Sequence, residues 1–408
     1  MTLYEDLEWR GLIQDISSPE LKKKLDEGGM TFYIGTDPTA DSMHIGHYSS
    51  FLISKRLAKG GHHPILLIGG ATGLIGDPKP DSERPIISKE EIEKNIIGLT
   101  KQAEEIFGFE VVNNWDWTKD INICDFLRDY GKYFSVNYML AKDHVKSRMD
   151  VGITYAEFSY MLLQAMDFLH LYETHNCTLQ VAGSDQWGNI TSGIELIRKK
   201  LDKEVYGMVM PLVTDSTGKK FGKTEGNALW LNEEKTSSYE LYQYFINLED
   251  DSIVDYLKKL TFLTKEEIEK IEKEHQNNPE ERIAQKALAK EIITDLHGEA
   301  KYEEAVKISD ALFKGDIKSF TGKDIEIAFK GLTPIKVTEE LNIVDFLVNN
   351  SICNSKREAR EFIQNGSISL NGEKIASLEK TITKSEGIEE KYYVVRRGKK
   401  KYYLVIFE

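Results

Sequence analysis

The sequence contains few cysteines and no long apolar run, and each of these absences excludes a class of protein. Its 408 residues include only three cysteines, Cys124, Cys177 and Cys353, with no Cys-x-x-Cys pair. A disulfide framework and a zinc-binding cysteine cluster are therefore not expected, and the predicted location is the reducing cytoplasm. No stretch of about 18 apolar residues is present, so no membrane-spanning helix is predicted. Residues 1–10 lack the apolar segment of a secretory signal.

Positive charge is also scarce. The chain has 53 Lys and Arg against 67 Asp and Glu, a formal net charge of −14, which excludes a protein that coats nucleic acid over its whole surface. Residues 341–408 are the exception, with 12 basic and 9 acidic side chains, whereas the rest of the chain carries 41 and 58. A mildly basic tail on an acidic body indicates a local contact with a polyanion. A basic terminus that only aids solubility is the competing interpretation.

What is present is organised around one stretch near the N-terminus. A β-prone run is broken at Asp37-Pro38 and followed by the tetrapeptide His-Ile-Gly-His at 44–47, which leads into a helical pattern over residues 48–58. A strand, a turn and a helix start together aim backbone N–H groups at an anion. Two histidines three residues apart can face the same ligand, and Gly46 leaves room for a flat group. A helix N-terminus with incidental histidines is the alternative.

The first half of the chain alternates short apolar runs with helical periodicity. This pattern predicts an α/β fold with a mostly parallel sheet and ligands at the carboxyl ends of its strands. Residues 64–68 and 178–182 are predicted to be buried strands. The first leads into a glycine-rich turn, residues 69–78, that matches neither a Walker phosphate loop nor G-x-G-x-x-G. This turn is either a plain strand–helix connection or a place where Asp77 holds an ammonium group.

A strongly apolar helix is predicted over residues 156–172. Three polar side chains interrupt it at spacings of four and three and therefore share one helix face: Tyr160, Gln164 and Asp167. Because buried polar groups need partners, this row is either a satisfied internal network or the wall of a polar pocket. The pocket is favoured by three more polar side chains at the ends of predicted strands: Tyr33, Asp77 and Gln186.

Residues 214–226 form a glycine-containing loop that carries Lys220 and Lys223. Lysines in a loop are most often a solvated charge run. The alternative is a mobile cationic clamp for a polyphosphate, with Gly218 and Gly222 providing the flexibility.

Four segments are predicted along the chain: an α/β catalytic domain at 1–226, an α-helical domain at 227–318, a linker at 319–340 and a small α+β RNA-binding domain at 341–408. Almost uninterrupted helical periodicity defines the second. In the last, cations are interleaved with tyrosines, a pattern that binds phosphates and stacks on unpaired bases. The predicted RNA contacts are Arg357, Arg360, Arg396, Arg397 and Lys399.

Taken together, these motifs resemble those of the bacterial-type tyrosyl-tRNA synthetases, which are class I aminoacyl-tRNA synthetases, over essentially the whole chain. The tetrapeptide at 44–47 matches the class I HIGH signature, and Lys-Phe-Gly-Lys-Thr at 220–224 matches the KMSKS-type loop of that family. Residues 183–189 and the polar row on the apolar helix are similar to the tyrosyl branch. Residues 355–373 resemble a small RNA-binding domain shared with a ribosomal small-subunit protein. The resemblance implies a Rossmann-like catalytic domain.

The resemblance also implies roles for individual residues. Tyr33 and Asp167 would hydrogen-bond the phenolic hydroxyl of a tyrosine substrate. The full set implied to bind tyrosine is Tyr33, Asp77, Tyr160, Gln164, Asp167 and Gln186. The set implied to bind ATP is Gly35, Asp37, Gly46, Asp185 and Lys223. The set implied to act in catalysis, by stabilising charge rather than by removing a proton, is Thr39, His44, His47, Lys220 and Lys223.

The partners implied by the resemblance are L-tyrosine, tRNA(Tyr) and ATP with its Mg²⁺ ion, and the implied assembly is a homodimer without a protein-bound metal. This sequence departs from the family pattern at two places. Ile34 stands where relatives often carry a small polar residue near the ribose. The loop at 78–84 is shortened and less basic, so Arg84 is the only candidate there for a pyrophosphate contact.

Three other activities fit parts of the pattern. A tryptophanyl relative would share the fold but would not need the Tyr33 and Asp167 pair. An RNA-binding protein that lost catalysis would not need both histidines, both loop lysines and the polar helix row. A small nucleotidyltransferase with the same HIGH signature would not need the helical domain or the basic tail.

Overall fold

The computed structural model describes residues 1–78, 87–150, 152–214, 221–222, 228–398 and 401–408. Five residues singled out in the sequence, Arg84, Gly218, Lys220, Lys223 and Lys399, lie outside these ranges. The chain forms two compact units. The first consists of Met1–Thr236 with Leu248–Leu288, and the second of Ser237–Asn247 with Ala289–Glu408.

The first unit is built on a six-stranded sheet. Its strands are β1 (Asp15–Ile16), β2 (Thr31–Thr36), β3 (His63–Ile68), β4 (Glu110–Asn113), β5 (Cys177–Gly183) and β6 (Tyr206–Met210). Their order is β1-β6-β5-β2-β3-β4, and every pairing is parallel except that of β1 with β6. The continuous apolar run of β3 is buried, as expected for a parallel strand covered on both faces. The predicted α/β fold is confirmed, with the carboxyl ends of the central strands at one edge.

Ten helices precede residue 202 in the described part of the chain. They are α1 (Leu3–Trp9), α2 (Glu20–Glu27), α3 (Ile45–Lys59), α4 (Lys89–Gln102), α5 (Trp115–Thr118), α6 (Ile123–Asp129), α7 (Val136–Leu140), α8 (Asp143–Lys146), α9 (Tyr155–His175) and α10 (Trp187–Leu201). The apolar helix predicted at 156–172 is α9. Its start is fixed by a capping box in which Thr154 and Glu157 bond each other's backbone N–H groups.

The region predicted to be almost entirely helical contains five further helices. They are α11 (Ser238–Ile246), α12 (Asp250–Leu260), α13 (Lys265–Asn277), α14 (Ile283–His297) and α15 (Glu299–Lys314). A capping box formed by Thr264 and Glu267 is present at the start of α13. Helices α12 and α13 belong to the first unit, and α11 and α15 to the second.

The second unit carries the C-terminal sheet. Its remaining elements are α16 (Gly322–Ala328), β7 (Ile335–Val337), β8 (Leu341–Asn342), α17 (Ile343–Asn349), α18 (Lys356–Gln364), β9 (Ile368–Leu370), β10 (Glu373–Lys374), β11 (Thr381–Ile382), β12 (Tyr392–Arg397) and β13 (Lys401–Phe407). Five strands form one sheet in the order β10-β9-β12-β13-β7, and β11 pairs with β8. Strands β12 and β13 pair antiparallel at the C-terminal end of the sequence.

The segment 319–340, predicted to be a linker, contains both α16 and β7. Phe320 and Ile325 are buried in one cluster with Tyr392 and Val394 of β12, and β7 pairs in parallel with β13. The apolar side chains of this segment are thus part of the core of the second unit. The division of the chain at 226, 318 and 340 stays a prediction.

Candidate active site

The site lies where the carboxyl ends of β2, β3, β4 and β5 meet α9. A chain of hydrogen bonds crosses it. The Tyr160 hydroxyl donates to Asp37 Oδ2 at 3.0 Å, and the Thr72 hydroxyl donates to Asp37 Oδ1 at 2.8 Å. Asn114 Nδ2 donates to Thr72 Oγ1 at 3.1 Å and to Asp167 Oδ2 at 3.0 Å. The network therefore connects residues from four different segments of the chain.

Asp167 lies at the inner end of this network. Its side chain is 2% exposed, and Oδ1 accepts a second hydrogen bond from Trp117 Nε1 at 2.9 Å. Burial raises the pKa of Asp167 from 3.8 to about 7, although the bonds from Asn114 and Trp117 lower it, because a carboxylate is costly to remove from water. Both oxygens receive donors, an arrangement that favours the ionised form.

Three buried polar atoms near this carboxylate have no hydrogen-bond partner among the described residues: the Tyr33 hydroxyl, Gln164 Oε1 and Gln180 Oε1. Tyr33 and Gln180 are paired across β2 and β5. Burial first, and then the neighbouring Asp167 charge, raise the pKa of Tyr33 well above its usual value, so its hydroxyl stays protonated. An unpartnered buried polar atom costs about 1–3 kcal/mol. A polar ligand that supplied the missing partners would remove this cost.

The glycine-rich turn after β3 fits closely around the network. A Cβ on Gly69 would lie 2.2 Å from both Asp37 Oδ1 and Thr72 Oγ1, so any other residue would separate this hydrogen-bonded pair. The turn is therefore shaped to hold Thr72 against Asp37. A plain strand–helix connection, one of the two interpretations given for this turn, does not account for the contact between Thr72 and Asp37.

Asp77 ends the same turn and joins α10 to the site. Gln186 Nε2 donates to its Oδ2 at 2.9 Å, and Asn189 Nδ2 donates to its Oδ1 at 3.2 Å. Burial, Asp37 and then Asp77 raise the pKa of Tyr160 well above its usual value, which shows that the carboxylates converge on this hydroxyl. A concentration of negative charge beside buried donors suits a ligand that carries an ammonium group.

The His-Ile-Gly-His tetrapeptide caps α3. His44 is the N-cap, its Nδ1 accepts from the Gly46 N–H, and His47 Nδ1 accepts from the His44 N–H. The two imidazoles stack with centroids 3.9 Å apart. Burial, and then the neighbouring His44, lower the pKa of His47 from 6.5 to about 3, so His47 is neutral at physiological pH. The helix start aims backbone N–H groups at a position beside the stacked rings that is suited to phosphates.

Phe221 and Gly222, the described part of the lysine loop, lie against this tetrapeptide. The Phe221 N–H donates to the Val213 carbonyl at 2.9 Å, and the Leu229 N–H donates to the Gly222 carbonyl at 3.2 Å. Leu229 in turn accepts from the Ile45 N–H at 2.8 Å. A Cβ on Gly222 would lie 1.7 Å from Ile45 Cγ2. The two sequence motifs, 170 or more residues apart, therefore meet in direct contact.

The remaining predicted residues form two groups, one at the strand ends of the first unit and one in the second unit. Gly35, Thr39 and Asp185 are exposed at the ends of β2 and β5. In the second unit Arg357 and Arg360 are exposed on α18, whereas Arg397 bonds the Ile352 carbonyl and lies over the Phe362 and Tyr403 rings. Arg396 is half-buried. The roles assigned to the predicted site residues stay predictions.

Sequence reasoning missed four residues of the network: Thr72, Asn114, Trp117 and Asn189. Asn114 and Trp117 come directly after β4. Polar and indole side chains at the end of a strand were the sequence signal that could have identified them. Among the described residues, no cluster of three or more His, Cys, Asp or Glu side chains is arranged to hold a metal ion. Within the same ranges no helix is both long and apolar enough to span a bilayer.

Comparison with known proteins connects this geometry to a family. Residues 25–314 match the family model described as tRNA synthetases class I (W and Y), and residues 324–405 match that of the tyrosine–tRNA ligase SYY-like C-terminal domain. The chain is 51% identical to a tyrosine–tRNA ligase of Listeria monocytogenes and 47% identical to one of Streptococcus gordonii, covering 100% of both chains in each case. A C-terminally truncated mitochondrial tyrosyl-tRNA synthetase of Aspergillus nidulans superimposes with a TM-score of 0.68 at 32% identity, covering 76% of this chain and 94% of that one.

Proposed function

This chain belongs to the class I tRNA synthetases for tryptophan and tyrosine, in the tyrosine–tRNA ligase branch, and we propose how its residues divide the work of that activity. The activity has two steps. A tyrosine carboxylate oxygen attacks the α-phosphorus of ATP, the bond to the bridging oxygen breaks, and pyrophosphate leaves. A hydroxyl of the terminal tRNA ribose then attacks the carbonyl carbon of the adenylate, and AMP leaves.

The tyrosine side chain occupies the space beside Tyr33 and Asp167. The observation that carries this assignment is the buried, unpartnered Tyr33 hydroxyl next to a carboxylate whose two oxygens are already oriented by Asn114 and Trp117. A phenol completes this arrangement by donating to Asp167 and accepting from Tyr33. Phenylalanine leaves the Tyr33 hydroxyl without a partner and gives Asp167 no phenol donor, which is the physical basis for selecting tyrosine without an editing domain.

The amino-acid ammonium group binds where Asp77, Tyr160 and Gln164 converge, and Gln186 holds Asp77 in place for it. Gln164 Oε1 is buried without a partner in the described structure and supplies an acceptor, and Asp77 supplies the compensating charge. The distance along α9 from Tyr160 to Asp167 spans about two turns, or about 10 Å. This length suits the separation between the ammonium and hydroxyl ends of tyrosine.

ATP lies along the tetrapeptide edge of the site. Gly35, Asp37 and Asp185 face its ribose, Gly46 and His47 lie against the nucleoside, and Thr39 and His44 meet the γ-phosphate. Lys220 and Lys223 flank the Phe221-Gly222 pair in sequence and stabilise the charge that develops on the leaving pyrophosphate. Nucleophile and leaving group are both already charged, so catalysis rests on positioning and electrostatics and requires no protein base. Mg²⁺ enters with ATP as part of the substrate.

The activity is tested by amino-acid-dependent exchange of pyrophosphate into ATP. We expect exchange with tyrosine and weak or absent exchange with tryptophan or phenylalanine, because only tyrosine satisfies Tyr33 and Asp167. Exchange driven equally by tryptophan would contradict the tyrosine assignment. An absence of exchange with every amino acid, together with retained tRNA binding, would support the non-catalytic RNA-binding alternative.

The second unit is proposed to bind tRNA(Tyr) through α18. Arg357 and Arg360 are exposed one turn apart on a helix, a spacing that lets both contact the phosphate backbone. The double substitution Arg357→Ala/Arg360→Ala is expected to leave adenylate formation unchanged. It should weaken charging. It should also make the slope of log binding constant against log salt concentration for tRNA less steep by roughly 1 to 2.

Exposed lysines on α2 provide a matched loss of charge, and Lys22→Ala/Lys23→Ala should leave charging unaltered. Equal charging by both double variants would refute the role of α18. Deleting residues 341–408 is a less specific test than these substitutions, because it also removes Val394 and Leu404 from the cluster that buries Ile308 and Phe320.

The protein is proposed to act as a homodimer in the cytoplasm. Five large apolar side chains between residues 123 and 155 are 47–69% exposed, more than a monomer usually leaves within one stretch of sequence: Ile123, Leu127, Val136, Met149 and Tyr155. Three free cysteines fit a reducing compartment. Sedimentation equilibrium should give twice the 46.6 kDa chain mass. A Val136→Glu variant that sediments as the wild type does would argue against this face as the interface.

A further inference from the structure

Tyr256 on α12 contacts the chain on both sides of residues 215–220. Its hydroxyl donates to the Thr214 carbonyl at 3.0 Å, and its ring centroid lies 4.7 Å from that of Phe221. The Tyr256 side chain is 1% exposed and that of Phe221 is 3% exposed. One buried side chain thus fixes two points of the chain, Thr214 and Phe221, that lie seven residues apart in sequence.

Helix α12 is itself attached to α3, the helix that begins at the His-Ile-Gly-His tetrapeptide. Arg56 of α3 donates to the carbonyl of Thr261, the residue that ends α12. Arg10 of α1 donates to the same carbonyl at 3.3 Å and to that of Lys258 at 2.9 Å. Cations at the C-terminal end of a helix also interact favourably with its dipole. The position of α12 is therefore set relative to α3.

These contacts connect α3, α12 and the Phe221-Gly222 pair to one another within the first unit. Arg56 joins α3 to the end of α12, and Tyr256 joins α12 to Phe221. Gly222, next to Phe221, lies against Ile45 at the start of α3. Each link is buried or hydrogen-bonded. Tyr256 belongs to neither sequence motif, yet it contacts the segment through which the two motifs meet.

We propose that Tyr256 is a positioning residue for adenylate formation, holding Phe221 and Gly222 against His44–Gly46. It touches no substrate in this assignment. Its effect on the reaction passes through the lysines that flank Phe221-Gly222 in sequence, since a displacement of about 1 Å at a distance from the chemistry can cost about a hundredfold in rate. The inference rests on the proposed roles of Lys220 and Lys223.

The test compares Tyr256→Phe and Tyr256→Leu with the wild type in single-turnover adenylate formation. Tyr256→Phe loses the hydroxyl that bonds Thr214 but keeps the ring and should slow the step about fivefold, and Tyr256→Leu also loses the ring contact and should slow it about fiftyfold. The equilibrium dissociation constant for tyrosine should stay within about twofold. Tyrosine binds at the β2 and α9 side of the site, which Tyr256 does not contact.

Tyr206→Phe is the matched control. Tyr206 is another buried tyrosine of the first unit. It lies at the start of β6, whereas the site is at the carboxyl ends of the parallel strands, and its hydroxyl donates to Glu20 of α2. If Tyr256→Phe and Tyr256→Leu slow adenylate formation no more than Tyr206→Phe does, or if they weaken tyrosine binding by the same factor, Tyr256 has only a structural role. A wild type that forms no adenylate would instead refute the proposed function.

Discussion

Replacing Asp167 with alanine is expected to weaken tyrosine binding by roughly 10- to 100-fold, because a hydrogen bond to a charged acceptor contributes about 1.5–3 kcal/mol. Binding of phenylalanine should change little, since it makes no such bond. The ratio of kcat/KM for tyrosine to that for phenylalanine is therefore expected to fall by at least tenfold. Damage to the fold alone would lower both values together, so the ratio isolates recognition of the hydroxyl.

Asp167→Asn is expected to be nearly as damaging as alanine, although it preserves shape. Asn114 and Trp117 each donate to one carboxylate oxygen, so an amide in this place would direct its own N–H groups toward a donor. ATP–pyrophosphate exchange by the wild type, Asp167→Ala and Asp167→Asn measures this effect. If Asp167→Ala keeps the wild-type ratio of kcat/KM for tyrosine to that for phenylalanine, Asp167 does not take part in recognising the hydroxyl.

The same carboxyl gives tyrosine binding a pH dependence with a definite sign. Its pKa in the protein is about 7, raised from 3.8 chiefly by burial. The ionised carboxylate accepts a stronger hydrogen bond from the phenol than the protonated carboxyl does, so tyrosine affinity should fall as pH is lowered through about 7 and then level off at the affinity of the protonated form. Titration of the dissociation constant tests this, and Asp167→Ala should show no such step.

The effect of Asp167 on stability runs in the opposite direction. Between pH about 4 and 7 the unfolded chain holds fewer protons at this site than the folded one does, so the contribution of Asp167 to the free energy of unfolding falls as pH rises through that window. Above the folded pKa the contribution is constant. Ligand-free protein should therefore lose some stability over a pH range in which tyrosine binding improves.

The polar row on α9 was predictable because its residues repeat with the helical period inside an apolar segment. The local pattern did not predict what each residue would bond. Tyr160 meets Asp37 across 123 positions of sequence, and Asn114 reaches Asp167 across 53. Such pairings follow from strand order, which brings β2 and β4 to either side of β3. The helical period alone carries no information about that order.

The segment 319–340 shows a different limit of sequence reasoning. Its helix, α16, is only seven residues long and its strand, β7, only three, so neither element repeats often enough for periodicity to appear. Their apolar side chains become interpretable only against β12 and β13, about 70 residues later in the chain. Short elements stabilised by distant partners therefore look like linkers in the sequence.

Gly222→Ala is expected to slow adenylate formation by about a hundredfold while tyrosine binding changes by less than about twofold. Gly222 has φ +81°, and its added methyl group would lie 1.7 Å from Cγ2 of Ile45, a side chain with no solvent exposure. A β-branched side chain at a helix start has few other rotamers, so the backbone at Phe221-Gly222 or at His44–Gly46 must move instead. Either movement separates the two motifs, and a shift of about 1 Å is enough for a loss of this size.

Gly29→Ala separates this overlap from the cost of the backbone conformation. Gly29 has φ +79° in the same unit, and a Cβ there would meet nothing within 4 Å, so its substitution carries the strain of a positive φ without a collision. Both variants should lose stability on thermal unfolding, Gly222→Ala the more because it adds the collision with Ile45, but only Gly222→Ala should be slow in single-turnover adenylate formation. Equal rates in the two variants would mean that contact between the lysine loop and the histidine motif is not required for tyrosine activation.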